Sequence, residues 1–130
     1  MSDAHPYDDQ NIVAKIQRGE IPSTKVLETE HSYAFQDIYP KAPTHVLVIP
    51  KGPYVDAEHF GGAASDAEIA DFMRAVATVS RDTGVAPGAG GGGFRLVSNA
   101  GADGVQEVPH FHVHVLGGRV LGRIVPKLED

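Results

Sequence analysis

Hydrophobic and polar residues trade places along this chain in two different periods. Between His110 and Leu116 they alternate one by one, the period of an extended strand whose successive side chains face opposite sides of a sheet. His110, His112 and His114 are thereby expected on one face and Phe111, Val113 and Val115 on the other, with Gly117 and Gly118 closing the run. From Ile69 through Phe72, Met73, Val76 and Val79 the apolar positions recur instead at helical spacing. A capping box, Ser65-Asp66-Ala67-Glu68, stands ahead of them and Gly84 behind. This is the one long amphipathic helix, with Phe72 and Met73 read as core. A short helix over Asn11 to Arg18 has Asp8 or Asp9 to cap it and Ile12, Val13 and Ile16 as its apolar face. Gly19 and Pro22 stop it.

Lys25 to Glu28 and Tyr33 to Asp37 read as two short strands joined by the polar turn Thr29-Glu30-His31-Ser32, in which His31 is solvated. Pro40 and Pro43 stiffen the next loop, and the unbroken apolar run from Val46 to Pro50 is a central strand buried on both faces. His45 stands at its start, where a side chain projects into a cleft. Phe94 to Asn99 is a further strand, and antiparallel pairing with the histidine strand brings Asn99 near the imidazoles. Val85 to Gly93 is rich in glycine but lacks the Lys and Ser/Thr of a phosphate-cradling loop, and reads as a flexible connection. His59 falls in the loop before the long helix and reads as solvent-facing. The predicted fold is α+β: an antiparallel sheet of about five strands with one long and one short helix. Residues 1–10 form an arm holding His5, residues 11–123 a single domain, and residues 124–130 a tail.

Composition narrows the setting. The chain has 130 residues, 42% of them hydrophobic, enough for one core. Its formal net charge of −6 and lack of a Lys or Arg run argue against nucleic-acid or membrane-surface binding, so a small anionic ligand must be met by local donors. There is no cysteine, hence no thiol nucleophile and no Cys-ligated zinc. No apolar stretch is long enough to span a membrane, and the polar first ten residues have no signal-peptide core. A soluble cytoplasmic protein is expected.

Three histidines at period two concentrate the chemistry. Imidazole titrates near pH 6.5 and is costly to bury when charged, so repeated placement on one face points to metal ligation, phosphate binding or nucleophilic catalysis. On a strand rising about 3.4 Å per residue, neighbouring rings stand roughly 7 Å apart, close enough for one anionic group to touch two. A transition-metal site built from His110, His112 and His114, with His45, remains an alternative at this point.

The run His110-Phe111-His112-Val113-His114-Val115-Leu116-Gly117-Gly118 resembles the motif that gives the histidine triad (HIT) superfamily its name. Ala14-Lys15-Ile16 through Pro22, Ala34-Phe35-Gln36-Asp37-Ile38, Ala42-Pro43-Thr44-His45 through Lys51, and Asn99 with Gln106 resemble its nucleotide-binding (Hint) branch in the same order. The resemblance spans Ile12 to Arg123. It implies a HIT-like fold and a purine nucleoside monophosphate site, acting at the α-phosphate of purine nucleoside 5′-phosphoramidates without a cofactor or metal. His112 would be the nucleophile, forming a covalent nucleotidyl-histidine. His114 and His45 would contact phosphoryl oxygens, and a backbone carbonyl near His110 would fix the His112 tautomer. Asp37 would accept from the ribose hydroxyls, and Ile12, Ile16, Phe35 and Ile38 would sandwich the base. Asn99, Gln106 and the backbone N–H of Glu107 would supply donors. Family members pair as homodimers through the long helix and a sheet edge. The alternatives are dinucleoside polyphosphate hydrolysis and a nucleotide sensor with little catalysis.

Three features depart from the family pattern. Val105 stands where many relatives have a glycine that lets backbone approach phosphate, Glu107 where a serine is often found, and Asn11 and Ala14 where some relatives carry the cysteines of a zinc site.

Overall fold

A computed structural model describes residues 5–124. The first four residues of the expected arm, and all but Ile124 of the expected tail, lie outside the described residues. Five antiparallel strands form one sheet in the order β1-β2-β3-β5-β4. They are β1 (Lys25–Glu28), β2 (Ser32–Gln36), β3 (Thr44–Pro50), β4 (Phe94–Val97) and β5 (Val113–Gly117). Three helices accompany them: α1 (Ile12–Gln17), α2 (Ala57–Ala63) and α3 (Asp66–Asp82). The architecture is α+β, and the apolar run of β3 does sit at the centre of the sheet. Among the described residues no helix is long and apolar enough to cross a membrane.

Alternation sorts the side chains of the sheet into two layers. Ala34, Val46, Val48, Val113 and Val115 face one way, onto Phe72, Ala75, Val76 and Val79 of α3 and Phe60 of α2. Phe35 and Ile49 face the other way, onto Val13 and Ile16 of α1. The second layer is thinner, because α1 spans only six residues, and the ground it leaves uncovered is where a cavity opens. Asp71 fastens the first layer to the β1–β2 turn: one carboxylate oxygen accepts from the Thr29 hydroxyl at 2.6 Å and from the Ser32 hydroxyl at 2.8 Å.

Several local expectations change. The segment holding His59 is helix α2, not loop. Gly61 and Gly62 lower its intrinsic helix propensity, but Asp56 caps it by accepting from the His59 N–H, and Phe60 anchors it in the core. His59 is half-buried, and its Nδ1 accepts from the Val55 N–H. The cap of α1 is Asn11, whose side chain accepts from the Ala14 N–H, rather than Asp8 or Asp9. Met73 is 56% exposed, because it lies one position, about 100°, around α3 from the buried Phe72.

The glycine-rich stretch is an ordered turn rather than a slack one. Pro87–Ala89 forms a 3-10 turn, and the Gly91 and Gly93 N–H groups donate to the Ala86 and Val85 carbonyls at 2.9 Å each. Glycine is required at 91, where a Cβ would come within 2.2 Å of the Gly84 carbonyl oxygen. The histidine strand also begins later than its alternation suggests, at Val113, leaving His110 to His112 ahead of the paired strand, with a bend at His110.

Candidate active site

Between α1, the start of β3, the end of β4 and the 104–108 loop lies a cavity of about 730 Å³. His112 and His114 line it from the histidine run, and His45 from β3. The sheet brings them together by register: Leu47 of β3 pairs with His114, which places His45 one diagonal step away on the same face. Behind them Phe111 packs with Phe60 and Phe72, ring centroids 5.0–5.2 Å apart, so the opposite face of the histidine run is locked into the core.

His110 departs from the expected row. It is 1% exposed and does not line the cavity. Its Nε2 lies 2.9 Å from the Pro50 carbonyl oxygen, which can only accept, so Nε2 carries the proton and Nδ1 is left as an acceptor for the Tyr7 hydroxyl at 2.6 Å. Burial pushes its pKa down to about 4, against the opposing pull of the Pro50 hydrogen bond, which keeps the ring neutral at pH 7. The useful group is instead its backbone: the His110 carbonyl oxygen lies 2.6 Å from His112 Nδ1. That bond puts the His112 proton on Nδ1 and leaves the lone pair of a neutral ring on Nε2. The Ser98 hydroxyl donates to the His112 carbonyl at 2.9 Å and steadies the same residue.

A second chain of bonds orients the other two rings. The Lys41 N–H donates to His45 Nδ1 at 3.0 Å, so the neutral His45 ring carries its proton on Nε2. Nε2 lies 2.9 Å from His114 Nδ1 and 3.4 Å from a carboxylate oxygen of Asp37. Donation to His114 Nδ1 in turn leaves the His114 proton on Nε2. Burial lowers the His45 pKa, although the Asp37 carboxylate works against the shift, and burial takes His114 down to about 4, aided by the neighbouring imidazoles. The rings of His114 and His112 meet edge to face with centroids 5.1 Å apart. A hydrogen-bond donor and an imidazole lone pair thus stand side by side.

Around these groups the cavity wall is mostly apolar. Ile12, Ile16, Phe35 and Ile38 all line it; Phe35 and Ile16 form the buried floor, while Ile12 and Ile38 stand 46% and 61% exposed at the rim. Asp37 lines it too, with one carboxylate oxygen accepting from the Tyr39 N–H at 2.8 Å. Asn99 and Glu107 face the same space. Gln106 does as well, but its amide is turned into its own loop: Nε2 donates to the Val55 carbonyl at 2.7 Å and the Val108 carbonyl at 3.1 Å. Both amide hydrogens are in use, so the expected side-chain donation to a ligand does not match this geometry; Gln106 ties its loop to the segment ahead of α2. Val105 has φ at +57°, in the left-handed region that glycine favours, and its side chain stands 66% exposed at the cavity.

Among the described residues, the triad histidines do not converge as metal ligands. The ligand atoms close enough to share one ion are those of Asp37, His45 and His114, and separately those of His5, Asp56 and Glu58. Sequence reasoning missed Tyr7, Tyr39, Lys41 and Leu47. Lys41 acts through its backbone and Tyr7 from the segment read only as an arm, so neither carries a local pattern that marks it.

Comparison with known proteins agrees with this arrangement. The HIT domain family matches residues 18–121. A protein of Azospirillum brasilense described as an uncharacterized 13.2 kDa HIT-like protein is 55% identical over 124 residues, covering 95% of this chain and 98% of its own. The purine nucleoside phosphoramidase of Escherichia coli K12 is 37% identical over 114 residues, covering 88% of this chain and 92% of its own. Among solved structures, a HIT family hydrolase from Clostridium thermocellum superposes with a TM-score of 0.79 at 34% identity, over 91% of this chain and 99% of that one. With the histidine run, the fold and the relatives in agreement, the chain belongs to the HIT domain family.

Proposed function

We propose that this protein is a metal-independent nucleotide hydrolase that cleaves purine nucleoside 5′-phosphoramidates through a nucleotidyl-His112 intermediate. The observation that carries the reading is the His112 Nδ1 bond to the His110 carbonyl at 2.6 Å, which leaves Nε2 free to attack. A neutral imidazole nitrogen is a competent nucleophile at pH 7 when its other nitrogen is held by an acceptor. In the first step Nε2 bonds to the α-phosphorus while the P–N bond to the amine breaks. The departing nitrogen keeps that electron pair and takes a proton at the open mouth of the cavity. Water then attacks the phosphorus and gives up a proton to the solvent at the cavity mouth, the P–Nε2 bond breaks with its electron pair returning to the ring, and nucleoside monophosphate leaves with His112 restored.

The remaining residues take their parts by position. His114 Nε2–H donates to a phosphoryl oxygen, with His45 behind it, and the Asn99 amide and the Glu107 N–H add donors near the same group. Fixed donors of this kind stabilise charge on the phosphoryl oxygens without reorganising. Asp37 accepts from the ribose, and Ile12, Ile16, Phe35 and Ile38 enclose the purine. The named activity of the 37% identical E. coli relative supports this substrate class. We further propose a cytoplasmic homodimer in which residues 11–123 form the domain, residues 1–10 its arm and residues 124–130 its tail.

The test is release of AMP from adenosine 5′-phosphoramidate in excess chelator, by the native protein and by His112→Ala in parallel. Turnover that survives chelation and is lost in the variant supports the proposal. Turnover abolished by chelation, or undiminished in His112→Ala, contradicts it.

A further inference from the structure

We infer that Tyr7, on the segment ahead of α1, is a positioning residue for His112, acting through the His110 side chain. The inference rests on the reading of His112 as nucleophile. Tyr7 lies outside both the matched family stretch, residues 18–121, and the cavity lining. Its hydroxyl nonetheless reaches His110 Nδ1 at 2.6 Å, and the two rings meet edge to face with centroids 5.5 Å apart.

Three directed hydrogen bonds meet at His110, two on its ring and one on its carbonyl. Tyr7 O–H donates to His110 Nδ1, His110 Nε2–H donates to the Pro50 carbonyl, and the His110 carbonyl accepts from His112 Nδ1–H. Each link has one direction. The Pro50 carbonyl cannot donate, so His110 Nδ1 must accept, and in the described residues the Tyr7 hydroxyl is what it accepts from. Burial also raises the Tyr7 pKa, which keeps the hydroxyl protonated and able to give this bond.

The segment is fastened at both ends. The Asp8 carbonyl accepts from the Asn11 side-chain amide at 2.7 Å, and the Asp9 carbonyl accepts from Arg18 Nη1 at 2.8 Å, which ties it to α1. On the other side His5 pairs with Glu58 of α2 at 2.8 Å and stacks on His59 with ring centroids 4.4 Å apart. Tyr7 is therefore held between two helices over a histidine that is 1% exposed.

Without the hydroxyl, the buried Nδ1 of His110 would face no donor, and an orphaned buried acceptor is costly enough to drive a rearrangement. The ring then turns, or exchanges tautomer and leaves Pro50. Either change shifts the residue whose carbonyl holds His112, so the fraction of His112 with Nε2 free falls. A tyrosine in the arm thus reaches the reacting atom through two hydrogen bonds and one backbone unit, touching no substrate.

The experiment is Tyr7→Phe, which keeps the ring and removes only the hydroxyl, with Tyr7→Ala beside it. Long-range proton–nitrogen NMR of the uniformly labelled protein reads the imidazole tautomers directly and needs no substrate. The native protein is expected to show His110 as the Nε2–H and His112 as the Nδ1–H tautomer. Tyr7→Phe is expected to show His112 as a mixture, with kcat for adenosine 5′-phosphoramidate down about tenfold, the scale of one orphaned buried acceptor. The Kd for AMP should stay unchanged, because Tyr7 does not line the cavity. A Tyr7→Phe protein whose His112 remains wholly the Nδ1–H tautomer overturns the inference whatever its turnover, as does an equal loss of AMP binding and kcat. Absence of turnover in the native protein would remove the proposed function and leave the tautomer result to decide the role of Tyr7.

Discussion

His45 Nε2 lies 2.9 Å from His114 Nδ1, and this one bond decides which nitrogen of His114 carries its proton. The direction starts at the Lys41 N–H, a group that can only donate, and ends on His114 Nε2. Replacing His45 by Ala strips partners from both the Lys41 N–H and His114 Nδ1 and empties a site that is 2% exposed. Expected is a stability loss of about 2–5 kcal/mol by urea unfolding, from orphaned groups and a cavity together, with kcat reduced at least about tenfold. A variant as stable and as active as the native protein would show the relay to be idle.

Stability should also fall as pH drops below 6.5, through two buried imidazoles. His110 and His114 have folded pKa values near 4, below the ordinary 6.5. Above pH 6.5 the rings are neutral in both states and cost nothing. As pH drops toward 4 the unfolded chain takes up protons that the folded one refuses, so folding weakens. His110 alone withdraws about 3 kcal/mol over that window, because burial carries its pKa from 6.5 down to about 4. The more open His114 adds a smaller share. Glu28, Glu68 and Asp71, whose pKa values are held down, add their own losses as pH falls through the ordinary values of 4.5 for the two glutamates and 3.8 for the aspartate. Urea midpoints at pH 7.5, 6.0 and 5.0 should descend steadily; a flat series would contradict the burial of these rings.

Val105 sits at φ +57°, where a β-branched residue is strained and glycine is not. Its side chain is 66% exposed, so removing it loses little packing. Val105→Gly relieves about 1–2 kcal/mol of strain and gives back up to about 1 kcal/mol as unfolded-chain entropy. The expected net result is a gain of up to about 1 kcal/mol, seen as a higher denaturation midpoint. Because Val105 stands beside the cavity, the same variant should also accept bulkier leaving groups, read as a lower KM. A destabilised Val105→Gly protein would mean that the valine makes contacts that outweigh its strain.

The open edge of the sheet gives a prediction about assembly. Strand β4 exposes Phe94 and Leu96 on the face that α3 covers elsewhere, and Met73 is exposed on α3 itself. Unpaired edges and apolar side chains of this kind call for cover. Sedimentation should find the native chain as a dimer, and Phe94→Lys with Leu96→Lys should yield a folded monomer. A native monomer at all concentrations would remove the dimer from the proposal.

What the sequence made legible were the features that depend on neighbours in the chain. Side-chain alternation placed Phe111, Val113 and Val115 in the core and His112 and His114 on the other side, because period two is a property of extended backbone. The unbroken run Val46 to Ile49 read as central because only a strand covered on both faces tolerates it. The sinking of His110 was not legible, since its partners Tyr7 and Pro50 are 103 and 60 residues away along the chain. Nor was the Gln106 amide, whose acceptor on Val55 is 51 residues distant. Helix α2 was hidden by two glycines and rests on the tertiary anchor Phe60.

The central claim is that His112 Nε2 becomes bonded to phosphorus. The most direct measurement is intact-mass spectrometry of the protein quenched within milliseconds of mixing with adenosine 5′-phosphoramidate, followed by peptide mapping. The expected result is a transient gain of one adenylyl group on the peptide containing His112, absent in His112→Ala. Full turnover with no adduct at any time point, together with activity retained by His112→Ala, would contradict it.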